Sequence, residues 1–531
     1  MAEPSYDTIV VGGGIAGLTA AAYLSKKGQK VLLIEKNKEC GGLVNSFERN
    51  GFHFDAGVRA LLDAGIIFPM LKELDIELEH VKSPVSVGVG NEILHIKDIS
   101  SLKKYQELLI KIYPESEEEI GALIRIIRKI MKNMDVLYGV ENPVIKDLWN
   151  EKAFIFKTLL PWLPKFLFTI RKINRLNMPV EEFLETILKD PSLRDIISQH
   201  FFKNTPTFFA LSYFSLYLDY FYPRGGVGKL AEAFENKLIE TGAEIKTETA
   251  IQKVMADDRL VIDQDNLSYK YDHLIWAADL KTFYKITEVN GLSEKTQLKF
   301  EEKKSRMLAH RGGDSVYTLF VEVNEPLDSF KRISNGHFFY TPSKIGLGET
   351  HREELSKLLD NWEKVSKDQV IDWLDKFITL NTYEISVPGL KDPDLAPEGK
   401  SGLTISFLTE YDLFQKVQQA GWYEEFISEI EKRVLKVLAD SVYPMLKEKV
   451  IGKYSFTPLS IQSRVGSSEG AITGWSFEET IPVISKIQAA KRAVVTPIPS
   501  IYQAGQWTYS PAGVPMSILT GKIAGDRILN K

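Results

Sequence analysis

One short stretch near the start leaves this chain few ways to fold. Tyr6-Asp-Thr-Ile-Val-Val-Gly12 has the length and apolar run of a buried strand. It ends in Gly12-Gly-Gly14-Ile-Ala-Gly17 and enters the alanine-rich helical stretch Leu18–Lys27, which Gly28 stops. Lys30-Val-Leu-Leu-Ile-Glu35 then reads as a second strand ending in an acid. Strand, G-x-G-x-x-G, helix, strand and acid together describe a dinucleotide-binding βαβ unit. Gly12 permits the tight turn, Gly14 lets a pyrophosphate approach the backbone, and Gly17 lets helix and strand pack closely. The helix start offers unpaired N–H groups and a positive dipole end to the phosphates. Glu35 is placed to accept from a ribose hydroxyl pair and disfavours a 2′-phosphate.

The next residues narrow the choice of dinucleotide. Lys36-Asn-Lys-Glu-Cys-Gly41-Gly42-Leu43 leads to Gly51-Phe-His-Phe-Asp55-Ala56-Gly57. This resembles the FAD-dependent amine oxidase and carotenoid desaturase family, in which a Gly-Gly pair follows the ribose-binding acid and a G-F-x-F-D-x-G stretch reaches the flavin ring. Tyr222-Pro-Arg-Gly-Gly-Val-Gly-Lys-Leu230, Ala250-Ile-Gln-Lys-Val254, Asp272–Asp279, Asp392–Gly399, Ser455–Leu459 and Gly470–Trp475 extend the resemblance over almost the whole chain. Gly505-Gln506-Trp507 and Pro511-Ala-Gly513-Val514-Pro515 are similar to its closing flavin motif. The resemblance implies FAD as cofactor, with Gly12, Gly14, Ile15, Ala16, Gly17, Glu35, Lys36, Gly41, Gly42, Leu43, Ala56, Gly57, Val254, Gly505, Gln506, Gly513, Val514 and Pro515 as its binding set. Nothing near the C-terminal motif resembles a cysteine tether, so the flavin is expected to be non-covalent. Leu43 stands where the family often has arginine, and Gln506 where it has an acid. Both changes reduce charge around the cofactor, although glutamine still bonds a hydroxyl.

The implied fold class is α/β, a Rossmann-type FAD-binding domain interleaved with an α+β substrate-binding domain. The FAD-binding pieces are 1–70, 222–300 and 490–531; the substrate-binding pieces are 71–221 and 301–489. The net charge of −5 gives no reason to expect nucleic acid as a partner. The single cysteine, Cys40, excludes a disulfide framework and fits a reducing, cytoplasmic setting. No metal site is expected, because the eight histidines form no ligand pair. The uncharged run Thr8–Ser25 lacks a basic leader and is not read as a secretory signal. No transmembrane span is expected either. No motif speaks to oligomeric state.

Segment 152–180 mixes Lys152, Lys157, Lys165, Arg171, Lys172 and Arg175 with aromatic and aliphatic residues and has no acid. That composition suits a peripheral membrane contact; the competing reading is a core helix with a basic outer face. The apolar run Asn204–Leu218 is either a tunnel lining for a long hydrophobic substrate or ordinary core.

Hydride transfer from carbon to flavin needs positioning more than a nucleophile, and Arg59 is the one catalytic candidate. The expected function is phytoene desaturase-like oxidation of C–C bonds in a polyene or isoprenoid. Retinol saturase-like reduction and carotenoid isomerase-like isomerisation use the same arrangement. A flavin amine oxidase and a non-enzymatic prenyl-lipid carrier, similar to the GDP-dissociation inhibitors, remain as rivals.

Overall fold

A computed structural model describes residues 4–146 and 151–529 of the chain. Two β-sheets organise it. The first has eight strands. Its parallel centre runs Ser268–Trp276, Ser5–Val11, Val31–Ile34, Glu244–Lys246. Leu260–Asp263 and Ile251–Met255 extend it antiparallel, Thr287–Glu288 closes that edge, and Ile501–Gln503 pairs in parallel with the end of Ser268–Trp276. All four residues of Val31–Ile34 are buried, as a strand covered on both faces requires.

Helix Ile15–Lys26 crosses between the first two strands and is buried from Ile15 to Ser25. Its small residues allow backbone contact on two sides. A Cβ on Gly17 would lie 1.9 Å from the Gly12 carbonyl oxygen, and one on Gly521 would lie 2.4 Å from that of Ala16. The C-terminal helix Val514–Ile528 therefore packs directly onto the first helix and brings residues 505–515 to the tip of the first strand.

The second sheet has seven strands in the order Val450–Phe456, Ser315–Val323, Ser401–Thr409, Tyr383–Ser386, His337–Thr341, Val85–Val89, Glu92–His95. It is antiparallel except where His337–Thr341 pairs with Val85–Val89. Its side chains alternate strictly. Tyr317, Leu319, Phe338, Tyr340, Tyr383, Ile385, Ile405 and Phe407 pack with helices Lys367–Leu380 and Tyr423–Ser441 in one core. The intervening Thr318, His337, Glu384 and Ser406 point to the opposite face.

Helices Ser101–Ile112, Glu117–Tyr138, Pro191–Ser198 and Thr207–Asp219 form a third core beside Val85–Val89. Outside it lies a continuous helical segment, Lys152–Leu176, of 25 residues with mean hydropathy 1.3 and only 11% of its most apolar window buried. By length and composition alone it is long and apolar enough to cross a membrane. Pro161 lies in the first turn of Leu160–Ile173 and Pro164 inside it, and neither ends the helical segment.

Candidate active site

A cavity of about 1040 Å³ lies between the two sheets. Three sets of residues wall it.

The first set is a backbone cradle. Gly12 has φ +107°, and a Cβ there would lie 2.9 Å from the Ala277 carbonyl, so only glycine makes this turn. A Cβ on Gly14 would meet nothing within 4 Å, so the space beside it is open. Gly14 caps helix Ile15–Lys26 with no side-chain hydrogen bond, and Gly513 does the same for Val514–Ile528. Two uncapped helix starts thus share one cavity. Glu35 accepts from Gly13 N at 2.7 Å through one oxygen and from Asn37 N and Nδ2 at 2.9 Å through the other. Gly41 N donates to the Gly13 carbonyl at 2.8 Å and ties the Gly-Gly loop to the first turn. Gly57 is pinned under Leu43, whose carbonyl oxygen would lie 2.0 Å from a Cβ. Gln506 donates to Ser467 Oγ at 3.2 Å.

The second set is a polar floor. Arg59 is buried. It donates to the carbonyls of Asp55 (2.7 Å) and Gly57, to Ser406 Oγ (2.9 Å) and to Thr318 Oγ1 (3.3 Å). Beneath it the buried Lys391 donates to the Arg59 carbonyl at 2.6 Å and to Ser386 Oγ at 2.8 Å. Burial pushes the Lys391 ammonium down to about 8, and Arg59 adds to the effect. Asp55 accepts from Tyr222 OH (2.8 Å), Ser46 Oγ (2.8 Å) and Val227 N (3.0 Å). His337 Nε2 lies 2.9 Å from Glu384 Oε1, and the His337 ring stacks on Tyr220 with centroids 5.5 Å apart. Desolvation lowers the His337 pKa. Burial opposes the charge on Glu384, but the His337 hydrogen bond and the nearby Arg59 and Lys391 charges outweigh it and hold the carboxyl below its ordinary value.

The third set is an apolar arm. Leu159, Trp162, Leu163 and Phe166 come from helix Lys152–Leu176, and Phe209, Tyr213 and Leu216 from Thr207–Asp219. The 204–218 run has two faces: Phe208, Leu211 and Phe214 are core, while Phe209 and Tyr213 line the cavity and Leu216 belongs to both. The outer face of Lys152–Leu176 leaves Phe156 (68%), Leu160, Leu167 and Phe168 (64%) exposed.

Of the expected cofactor set, Gly12, Gly14, Ile15, Ala16, Glu35, Lys36, Gly41, Gly42, Leu43, Ala56, Gly57, Gly505, Gln506, Gly513, Val514 and Pro515 all line this cavity, as does Arg59. Gly17 lies behind it, against Gly12. Val254 is not on the cavity wall. It is fully buried, paired with Val261 and Thr287, and the wall is made by Thr249, Ala250 and Ile251 instead. The pairing register shifts between Ile251 and Lys253, and the cavity wall ends at Ile251. Sequence reasoning did not reach Thr318, His337, Glu384, Lys391 or Ser406.

The model of the family described as flavin containing amine oxidoreductase matches residues 15–529. The chain belongs to this family. It is accordingly an FAD-dependent enzyme of the Rossmann α/β class. Among its relatives is the all-trans-retinol 13,14-reductase of Danio rerio, 22% identical over 94% of this chain and 82% of that protein. The 1-hydroxycarotenoid 3,4-desaturase of Flavobacterium sp. (strain P99-3) is 20% identical over 98% of this chain and 99% of its own length. An oxidoreductase from Methanosarcina mazei has the same fold, with a TM-score of 0.61, 15% identity and coverage of 99% and 100%.

The flavoenzyme's residues fit FAD. The open side of Gly14 and the two uncapped helix starts supply what a pyrophosphate needs, and the doubly anchored Glu35 what a ribose needs. When bound, the flavin supplies the hydride acceptor that no side chain of the protein can replace.

Proposed function

We propose that this flavoenzyme desaturates carbon–carbon bonds of a long apolar polyene or isoprenoid molecule taken from a membrane surface. One observation carries the reading: the dinucleotide cradle and the aromatic arm are a single cavity, so a chain threaded along the arm arrives at the cradle end. The protein's contribution is to bind and orient. Trp162, Phe166, Phe209 and Tyr213 hold the apolar body of the substrate and exclude water. Arg59 positions the Gly57 turn through its carbonyl. The FAD is held by backbone groups and hydrogen bonds alone. Among the described residues the only cysteine, Cys40, is buried behind the Gly-Gly loop, and no cysteine lies among 505–515 to form a tether.

The membrane contact is supported by the outer face of Lys152–Leu176, where exposed Phe156, Leu160, Leu167 and Phe168 alternate with Lys157, Lys165, Arg171 and Lys172. Cations among headgroups with rings below them suit a helix lying in the interface. Because its inner face walls the cavity, the same helix connects the lipid to the arm. The unpaired cysteine supports a cytoplasmic, reducing face. The two relatives carry names for C–C bond redox chemistry in opposite directions, a desaturase and a reductase.

The experiment is anaerobic mixing of the purified yellow protein with a polyene in lipid vesicles, offered both as the hydrocarbon phytoene and as a hydroxylated polyene, read by flavin absorbance. Bleaching by the polyene, together with a more unsaturated product, is the expected result. Peroxide release with a panel of amines, and no response to the polyene, overturns the proposal.

A further inference from the structure

The polar floor is out of keeping with a pure hydrocarbon substrate. Glu384 and His337 both line the cavity. Glu384 keeps 37% of its side-chain surface open, whereas His337 keeps only 3%. The carboxylate can only accept, so the 2.9 Å contact makes His337 Nε2 the donor. A neutral imidazole donating from Nε2 keeps a lone pair on Nδ1, and that buried atom has no hydrogen-bond partner among the described residues. Only the Glu384 carboxylate is therefore open to the cavity as an acceptor, and among the described residues its one hydrogen-bond donor is His337 Nε2. The cations close by donate elsewhere. Arg59 places its Nη groups on Asp55, Gly57, Thr318 and Ser406, its buried Nε has no hydrogen-bond partner among the described residues, and Lys391 bonds the Arg59 carbonyl and Ser386. Packing a methyl or methylene group against a desolvated acceptor leaves its cost uncompensated.

We propose that His337 and Glu384 form a recognition site for a hydroxyl group on the substrate, so that the enzyme takes a polyene or isoprenoid alcohol rather than the hydrocarbon. The inference rests on the reading of the arm as a channel for a long apolar molecule. The O–H donates to the Glu384 carboxylate, and the apolar body lies along Leu163, Phe166, Phe209 and Tyr213. Arg59 and Lys391 balance Asp55 and Glu384, so the floor carries no surplus negative charge to hold an ammonium group. Ser406 lies directly across the strand pair from Glu384 and is bonded to Arg59, which places the site next to the Gly57 turn.

The test is equilibrium binding of geranylgeraniol, its methyl ether and geranylgeranylamine to the purified flavoprotein, read by tryptophan fluorescence. The ether keeps chain and oxygen but loses the donor. The alcohol is expected to bind about ten- to a hundredfold more tightly than the ether, the range of one hydrogen bond to a charged acceptor. Glu384→Leu should erase that preference while leaving ether affinity in place, and Glu384→Gln should retain part of it. Equal affinity for alcohol and ether in the wild type overturns the inference. So does a preference surviving in Glu384→Leu, or tightest binding of the amine. Should Glu384→Leu not fold, the wild-type series and Glu384→Gln decide alone. Failure of all three ligands to bind removes the long-apolar-substrate reading as well; equal binding of all three removes only the hydroxyl site.

Discussion

The two ends of the cavity are built by opposite means. The cradle is made of backbone: turns at Gly12, Gly41 and Gly57, two uncapped helix starts, and one carboxylate held by its own neighbours. The floor is made of side chains from four strands of the other sheet, fastened by Arg59 and Lys391. A backbone site tolerates changes in side-chain charge, which is why Leu43 and Gln506 can stand in this chain without dismantling it. A side-chain site tolerates little, since each buried group is another's partner.

The sharpest way to test that contrast is at Gly14 and Gly17. A Cβ on Gly14 enters open space, so Gly14→Val should leave the fold intact and lower FAD affinity by at least about a hundredfold, measured by flavin retention and melting of the apoprotein. Gly17→Val should instead fail to fold, because its Cβ meets the Gly12 carbonyl. Equal flavin retention in Gly14→Val would break the backbone account.

At the floor, Arg59→Leu removes the donor to two buried carbonyls and leaves Asp55 with less balancing charge. It should cost about 3–5 kcal/mol in urea unfolding, more than Arg59→Lys. An unchanged midpoint would show that Arg59 faces the cavity without holding it together.

The helix Lys152–Leu176 divides the same way, between its two faces. Replacing Phe156, Leu167 and Phe168 together by serine should reduce vesicle co-sedimentation about tenfold or more and leave ligand binding in the cavity intact. Trp162→Ser should do the reverse, because Trp162 walls the cavity and donates to the Val136 carbonyl.

Lys391 offers a smaller effect. Its pKa is about 8 in the folded protein against an ordinary 10.5. Between those values the unfolded chain binds a proton that the native state does not, so stability from this group rises with pH across that window. Lys391→Met should flatten the rise in melts taken from pH 8 to 10. The smallest expected effect belongs to Cys40, whose buried thiol is pushed up to about 12. It should resist iodoacetamide at pH 8 until the protein is denatured.

The cradle was legible because its signals are local. The glycine spacing, the helix start and the acid are all read from contiguous residues, and the structure brings sixteen of the expected positions to one wall. Val254 lies off that wall for the converse reason: its surroundings depend on pairing with Val261 and Thr287, which spacing along the chain does not encode. The floor did carry a trace in the sequence. Thr318, Glu384 and Ser406 each stand between two apolar residues of a strand, the alternation of a sheet with one polar face. What that pattern lacks is any indication that the three strands are neighbours, or that the polar face is turned inward.

The amino-acid sequence by itself determined the dinucleotide cradle and the apolar-basic character of the 152–180 segment, since turn geometry and composition are properties of contiguous residues. Only the tertiary structure decided that His337 meets Glu384, that Arg59 is fastened to Ser406, and which face of Lys152–Leu176 walls the cavity. Those contacts depend on strand order and register, which are settled by the packing of whole sheets and helices rather than by any local run of residues.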